Sequence, residues 1–276
     1  MAKNKYIHKK RRSLSSVLIT ICIIAILVIA LVLFLLYMSG ARYLKYDLSD
    51  GRQIKFLGRV DEDESPIKGK IIYSDNITAE VNIANENPET TYSNGDVYVG
   101  EFKNLMKEGK GTLKYANGDT YTGEFAGDLL NGTGTYTFAN GDKYTGGFTN
   151  GIKSGEGDYS YADGSSYVGA FENDMRNGFG EYSYASGDKY VGNYKDDMKD
   201  GSGVYTWANG DSYTGEFKDD CREGMGTYVW ANGEQYEGEF KGNIMSGYGT
   251  YTWPSGRTYT GYFENGVIVR EEAEEE

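Results

Sequence analysis

From Tyr98 onward the chain repeats itself every 23 residues without a slip. The pattern Tyr-x-Gly-x-aromatic begins at Tyr98, Tyr121, Tyr144, Tyr167, Tyr190, Tyr213, Tyr236 and Tyr259. A unit this short cannot bury an apolar face alone, so the fold must be a stack in which each copy leans on its neighbours. Paired glycines follow each Tyr, from Gly109 and Gly111 through to Gly247 and Gly249. In the eighth copy Arg270 and Glu272 stand in their place, so the array stops in mid-repeat and ends in the acidic tail 270–276.

Each copy reads as two short strands. Tyr98, Gly100 and Phe102 alternate with Val99 and Glu101, then Gly111, Leu113 and Tyr115 alternate with Thr112 and Lys114. That period of two marks a sheet with one aromatic and glycine face. Two columns line the face: Leu113, Tyr136, Tyr159, Tyr182, Tyr205, Tyr228, Tyr251, and beside it Tyr115, Phe138, Tyr161, Tyr184, Trp207, Trp230, Trp253. Turn pairs such as Asn117-Gly118 and Asn140-Gly141 precede each next strand. A two-residue turn there would put aromatics of successive strands on opposite faces. A three-residue loop, Ala116-Asn117-Gly118 with Gly118 left-handed, instead pairs Tyr115 with Asp119, Leu113 with Tyr121 and Gly111 with Gly123, and keeps them together.

Composition excludes several chemistries. The only His is His8, so His-based triads and His-ligated zinc are absent, and two Cys among 276 residues make no disulfide scaffold. No Walker loop, kinase motif set, GxSxG or metal cluster occurs; the many acids fall in repeated columns such as Glu101, Glu124, Glu216 and Glu239. The expectation is a protein that is not an enzyme and needs no cofactor or metal. Cys221 shares its column with Met106, Leu129, Ile152, Met175, Met198, Ile244 and Val267, which reads as structural filling. The next column is largely basic, with Lys107, Lys153, Arg176, Lys199 and Arg222, and reads as a solvated, edge-protecting position.

The N-terminus has a different character. Residues 1–13 form a basic tail with Lys3, Lys5, Lys9, Lys10, Arg11 and Arg12, and residues 14–38 read as a transmembrane helix around the uncharged run Val17 to Met38. Those 22 residues extend about 33 Å as a helix, against a hydrocarbon core of about 30 Å. The positive-inside rule puts the tail in the cytosol and the repeats outside, in a single-pass protein of the cell membrane. Ser39-Gly40-Ala41 suggests a cleaved signal peptide as the alternative, but such peptides carry shorter apolar runs. Residues 39–91 read as a juxtamembrane stalk with degenerate repeat-like strands that cap the N-terminal edge of the sheet, with a plain extended stalk as the alternative. In it Gly69-Lys-Ile-Ile-Tyr73 echoes a second strand, and the stretch from Tyr46 through Gly51 to Phe56 echoes a turn plus first strand.

The residues Tyr98-Val-Gly-Glu-Phe…Gly109-Lys-Gly-Thr-Leu-Lys-Tyr-Ala-Asn-Gly-Asp resemble the MORN (membrane occupation and recognition nexus) repeat. The likeness spans residues 92–269, about eight repeats, and departs only in preferring Phe or Tyr where the family often has Trp at the fifth position. It implies an all-β, elongated and twisted antiparallel sheet of successive hairpins that serves as an interaction or scaffold module. At about 4.8 Å per strand the array would be about 75 to 80 Å long. A protein partner is expected, with Trp207, Trp230, Trp253 and the basic column Lys107, Lys153, Arg176, Lys199 and Arg222 as candidate contacts. Rows of Tyr and Trp make cell-wall carbohydrate the alternative, provided the Trp rings are exposed. The family's link to anionic phospholipid is a second alternative, but with the six N-terminal charges removed −13 becomes −19, which repels anionic head groups. Nothing suggests nucleic acid as a partner.

Overall fold

The structure is a computed structural model that describes residues 14–48, 51–84 and 87–269. The basic tail 1–13 and the acidic tail 270–276 lie outside the described residues. The chain divides into two compact units, Met1–Asn94 and Gly95–Glu276.

In the first unit a helix runs from Leu14 to Met38. Its span Val17–Met38 has a mean hydropathy of 3.5, none of it buried, so it is long and apolar enough to cross a membrane. Behind it the Arg42 guanidinium lies 4.1 Å from the Tyr37 ring centroid. A four-stranded antiparallel meander follows, built from Ala41–Asp47, Gln53–Val60, Pro66–Tyr73 and Thr78–Asn82. Ile54, Phe56 and Ile71 are fully buried. Gly58 pairs with Gly69, and the Phe56 ring covers both.

In the second unit consecutive strands pair antiparallel in chain order from Val97–Lys103 to Val267–Ile268, a long sheet of successive hairpins. The expected register holds: Gly111 faces Gly123, and Leu113 faces Tyr121. Tyr115 exchanges backbone hydrogen bonds around the loop, donating to Asp119 O at 2.9 Å and accepting from Gly118 N at 3.0 Å. Gly118 has φ +97°, which only glycine adopts at no steric cost.

The alternate connections are tighter. Each repeat's two strands are joined by two residues of positive φ, such as Asn173 (+53°) and Asp174 (+68°), a type I′ hairpin turn. Next to it the register shifts: Gly100 pairs with Gly111 but Phe102 with Lys107, and Gly109 (φ +61°) takes up the extra chain as a bulge. The two glycines of each pair therefore differ in purpose, the first relaxing a bulge and the second making room for a ring. The Glu101 carboxylate accepts the Lys110 N–H at 3.1 Å across that bulge. This explains why the Glu column recurs.

The core sits on the aromatic face. Tyr98, Tyr121, Tyr144, Tyr167, Tyr190, Tyr213 and Tyr236 are each fully buried. Every ring lies over a glycine of its own strand and one of the next; a Cβ on Gly123 or Gly134 would come within 2.6 or 2.5 Å of the Tyr121 ring. The phenol then donates to the Glu124 carbonyl at 2.9 Å, so the buried hydroxyl is satisfied. Phe125 stands edge-on to Tyr121 (5.1 Å, 90°) and to Tyr98 (5.2 Å, 81°), and Phe148 repeats the contact with Tyr121. This edge-to-face chain links each repeat to the next at favourable geometry.

Candidate interaction surface

A second aromatic ladder runs beside the first, and here the candidate residues fall. Tyr136 packs on Phe138 (4.5 Å), Phe138 on Tyr159 (5.9 Å), and the series continues through Tyr205, Trp207 and Tyr228. Trp207, Trp230 and Trp253 are half-buried. Trp207 contacts Tyr205 at 4.5 Å and Tyr228 at 5.1 Å, and Trp230 contacts Tyr228 at 4.5 Å and Tyr251 at 5.5 Å. Trp253 is held between Tyr251 at 5.0 Å and the Arg257 guanidinium at 4.0 Å. Each indole is thus engaged by neighbours rather than presented as a free flat face.

The basic column corrects the expectation of a solvated edge. The side chains of Lys107, Lys199 and Arg176 are only 12, 15 and 21% exposed. The strand places this column on the aromatic face, where the cations settle over rings: Lys153 over Tyr144, Tyr159 and Phe171 at 5.2–5.7 Å, and Arg176 over Tyr194 at 4.9 Å. Cation–π attraction holds them there, and for three of them a carboxylate from the following turn adds to it. Lys107 pairs with Asp128 at 3.1 Å, Arg176 with Asp197 at 3.0 Å and Lys199 with Asp220 at 3.3 Å.

A second acidic column latches one loop to the next. Asp119 accepts the Ala139 N–H and the Tyr136 phenol, each at 2.8 Å, and Asp142 and Asp211 do the same one and four repeats on. Those hydrogen bonds, the backbone one foremost, hold the three carboxyls below their ordinary pKa. Burial, with the Asp211 hydrogen bond second, pushes the Tyr228 phenol up to about 12.

Sequence reasoning did not find the opposite face. There Phe179 (63% exposed) and Met225 border an open cavity of about 600 Å³ floored by Val191 and Val204. The signal was available, since Phe179 and Met225 share the column between paired glycines. The Cys221 column also differs from plain filling. Cys221 is half-buried, but Leu129, Ile152, Met198, Ile244 and Val267 are exposed, because the residue just after the two-residue turn faces away from the ladders.

The family model described as MORN repeat matches residues 98–120, 121–143, 144–166, 167–189, 190–212, 213–235 and 236–256. No curated protein matches the chain. Among solved structures, the TCP10 domain of Danio rerio CPAP in complex with a STIL peptide is similar at 13% identity and TM-score 0.38, covering 80% of this chain and all of that one. The SAS-4 (dCPAP) TCP domain of Drosophila melanogaster, in complex with a proline-rich motif of Ana2, gives 13% identity and TM-score 0.33 over 72% of this chain and 91% of that one. Virginiamycin B lyase from Staphylococcus aureus gives 10% identity and TM-score 0.18 over 81% and 85%. Likenesses at these scores carry no argument about partner or activity.

Proposed function

Because this chain belongs to the MORN-repeat family, we propose that it is a membrane-anchored, non-enzymatic scaffold whose second aromatic ladder, with the cations over it, receives an extended protein partner. The observation that carries the reading is the repetition itself. The same half-buried ring pair recurs every 23 residues from Tyr136 and Phe138 to Tyr251 and Trp253, so an extended chain meets equivalent contacts at each step. Partly exposed aromatic and Arg side chains are the types enriched at protein interfaces. Stacking on sugar rings is less well served, since Trp207 and Trp230 each already meet two tyrosine rings. Phospholipid head groups are less well served too, since Lys107, Arg176 and Lys199 already have carboxylates.

The helix Leu14–Met38 supplies the anchor, and the basic residues before it favour a cytosolic N-terminus with the repeats outside. Residues 39–91 serve as a stalk of degenerate repeats. The test is photo-crosslinking in native membranes, with benzoylphenylalanine replacing Trp230 of the full-length chain. A discrete protein adduct, formed outside the cell and removed by external protease, is expected. Adducts to glycan or lipid alone would overturn the partner class, and protection of the repeats on intact cells, with cleavage after lysis, would overturn the orientation.

A further inference from the structure

The cation column and the turn column beside it run as partners 21 residues apart. Asp128, Asp174, Asp197 and Asp220 accept the backbone N–H of Lys107, Lys153, Arg176 and Lys199 at 2.8–3.0 Å, and all but Asp174 also ion-pair with the side chain. Arg222 breaks the series. Its turn partner is Asn243, whose Oδ1 still accepts the Arg222 N–H at 2.8 Å and whose carbonyl accepts a guanidinium N–H at 2.7 Å. The latch is kept and the charge is gone. Among the described residues no carboxylate ion-pairs with Arg222.

The guanidinium is nonetheless half-buried, 5.1–5.6 Å from the ring centroids of Tyr228, Phe240, Tyr213 and Trp207. Burial pushes its pKa down. Burial acts the same way on Arg176, but there the Asp197 hydrogen bond, with other charges, leaves the pKa raised. A desolvated cation with no counter-ion is an unfavourable arrangement that a matching anion relieves. Beside it opens a cavity of about 290 Å³ whose lining includes Arg222, Tyr228, Trp230, Phe240 and Asn243, with Ile244 and Met245 at its apolar side.

We propose that this cavity is a carboxylate-binding site, with the Arg222 guanidinium taking the carboxylate and Tyr228 and Trp230 flanking its carbon frame. The planar guanidinium offers two parallel donors that match a carboxylate. One cation balances one negative charge, so a monoanion fits better than a phosphate dianion. The volume lies just below the range of about 300–1,000 Å³ usual for small-molecule pockets, so the occupant is a small organic acid or a single acidic side chain. Glu271–Glu276 of the chain itself carry the same group and are one source the test separates.

The full-length chain in phosphatidylcholine nanodiscs is titrated with para-fluorobenzoate and followed by fluorine NMR of the probe. Line broadening is expected with the wild type and not with neutral para-fluorobenzamide. Arg222→Gln should weaken binding at least about tenfold, the scale of a lost charge-assisted hydrogen bond. Asn243→Asp is the sharper variant: it installs the acid that other repeats carry, so the fold should keep its thermal midpoint while binding is lost. A chain ending at Arg270 that binds the probe more tightly than wild type identifies the acidic tail as an internal source of the same carboxylate. Equal broadening with wild type, R222Q and N243D, or with the benzamide, would overturn the proposal, as would none with either wild type or the shortened chain.

Discussion

The Tyr136 phenol donates to Asp119 across the junction between two repeats at 2.8 Å, and the same carboxylate accepts the Ala139 N–H at 2.8 Å. Both bonds favour the ionised acid, and the Asp119 pKa is lowered accordingly, as are those of Asp142 and Asp211. Groups lowered in the fold contribute stability that is complete above their unfolded value, near 3.8, and is lost as pH falls through the folded one. The thermal midpoint of the full chain should therefore drop between about pH 5 and about pH 2. Asp119→Asn should lower the midpoint at neutral pH and flatten that acid limb. An unchanged acid limb would contradict the role of the latch.

The two glycines of a pair separate by substitution. A Cβ at Gly226 would come within 2.5 Å of the Tyr213 ring, so Gly226→Ala should cost about 2 to 3 kcal/mol by overpacking the fully buried Tyr. At Gly233 nothing lies within 4 Å, and only the positive φ of +88° is strained, so Gly233→Ala should cost about 1 kcal/mol. Thermal midpoints of the two variants check the order; the reverse order would mean the ring does not lie over Gly226.

Alkaline titration reads the core directly. Burial foremost pushes Tyr115, Tyr121, Tyr144, Tyr213 and Tyr236 up to about 12 from the ordinary 10.0. A raised folded pKa contributes stability fully present below the unfolded value and lost as pH rises toward the folded one. Phenolate absorbance should lag well behind free tyrosine above pH 10, then rise steeply as the sheet unfolds between about pH 10 and about pH 12. A smooth titration centred at the ordinary value would contradict a buried ladder.

Much of this was legible because the period repeats each constraint. One copy of Tyr121, Gly123 and Gly134 says little, but keeping the aromatics of every successive strand on one face selected the three-residue loop at Gly118, and with it the register that sets Gly111 opposite Gly123. The two-residue turn was missed, although Asn173-Asp174, Asp196-Asp197 and Asp219-Asp220 are the Asn and Asp types that tolerate positive φ. Leu105 at one such position hides the pattern. The bulge at Gly109 was missed because sequence shows a glycine pair without saying which member bends. The cations were misread for a physical reason: Lys and Arg have stems long enough to lie along rings, so alternation alone does not say whether the charge reaches water.

Cys221 gives a modest prediction. It is half-buried at a position that other repeats fill with Met or Ile, so Cys221→Ile should change stability by no more than about 0.5 kcal/mol. Unchanged partner crosslinking from this variant is also expected. A large loss of either would require a role for the thiol that the column does not suggest.

The decisive measurement compares the two faces of one strand set. Benzoylphenylalanine is placed in turn at Trp207, Trp230 and Trp253 on the ladder, and at Thr214, Thr227 and Thr250 on the face away from it, in the full-length chain in its native membrane. Adducts to one and the same protein from all three ladder positions, with little from the threonine positions, are the result expected of a repeated interaction surface. Equal yields from both faces, or adducts confined to the threonine positions near Met225, would contradict it and move the binding surface to the opposite side of the sheet.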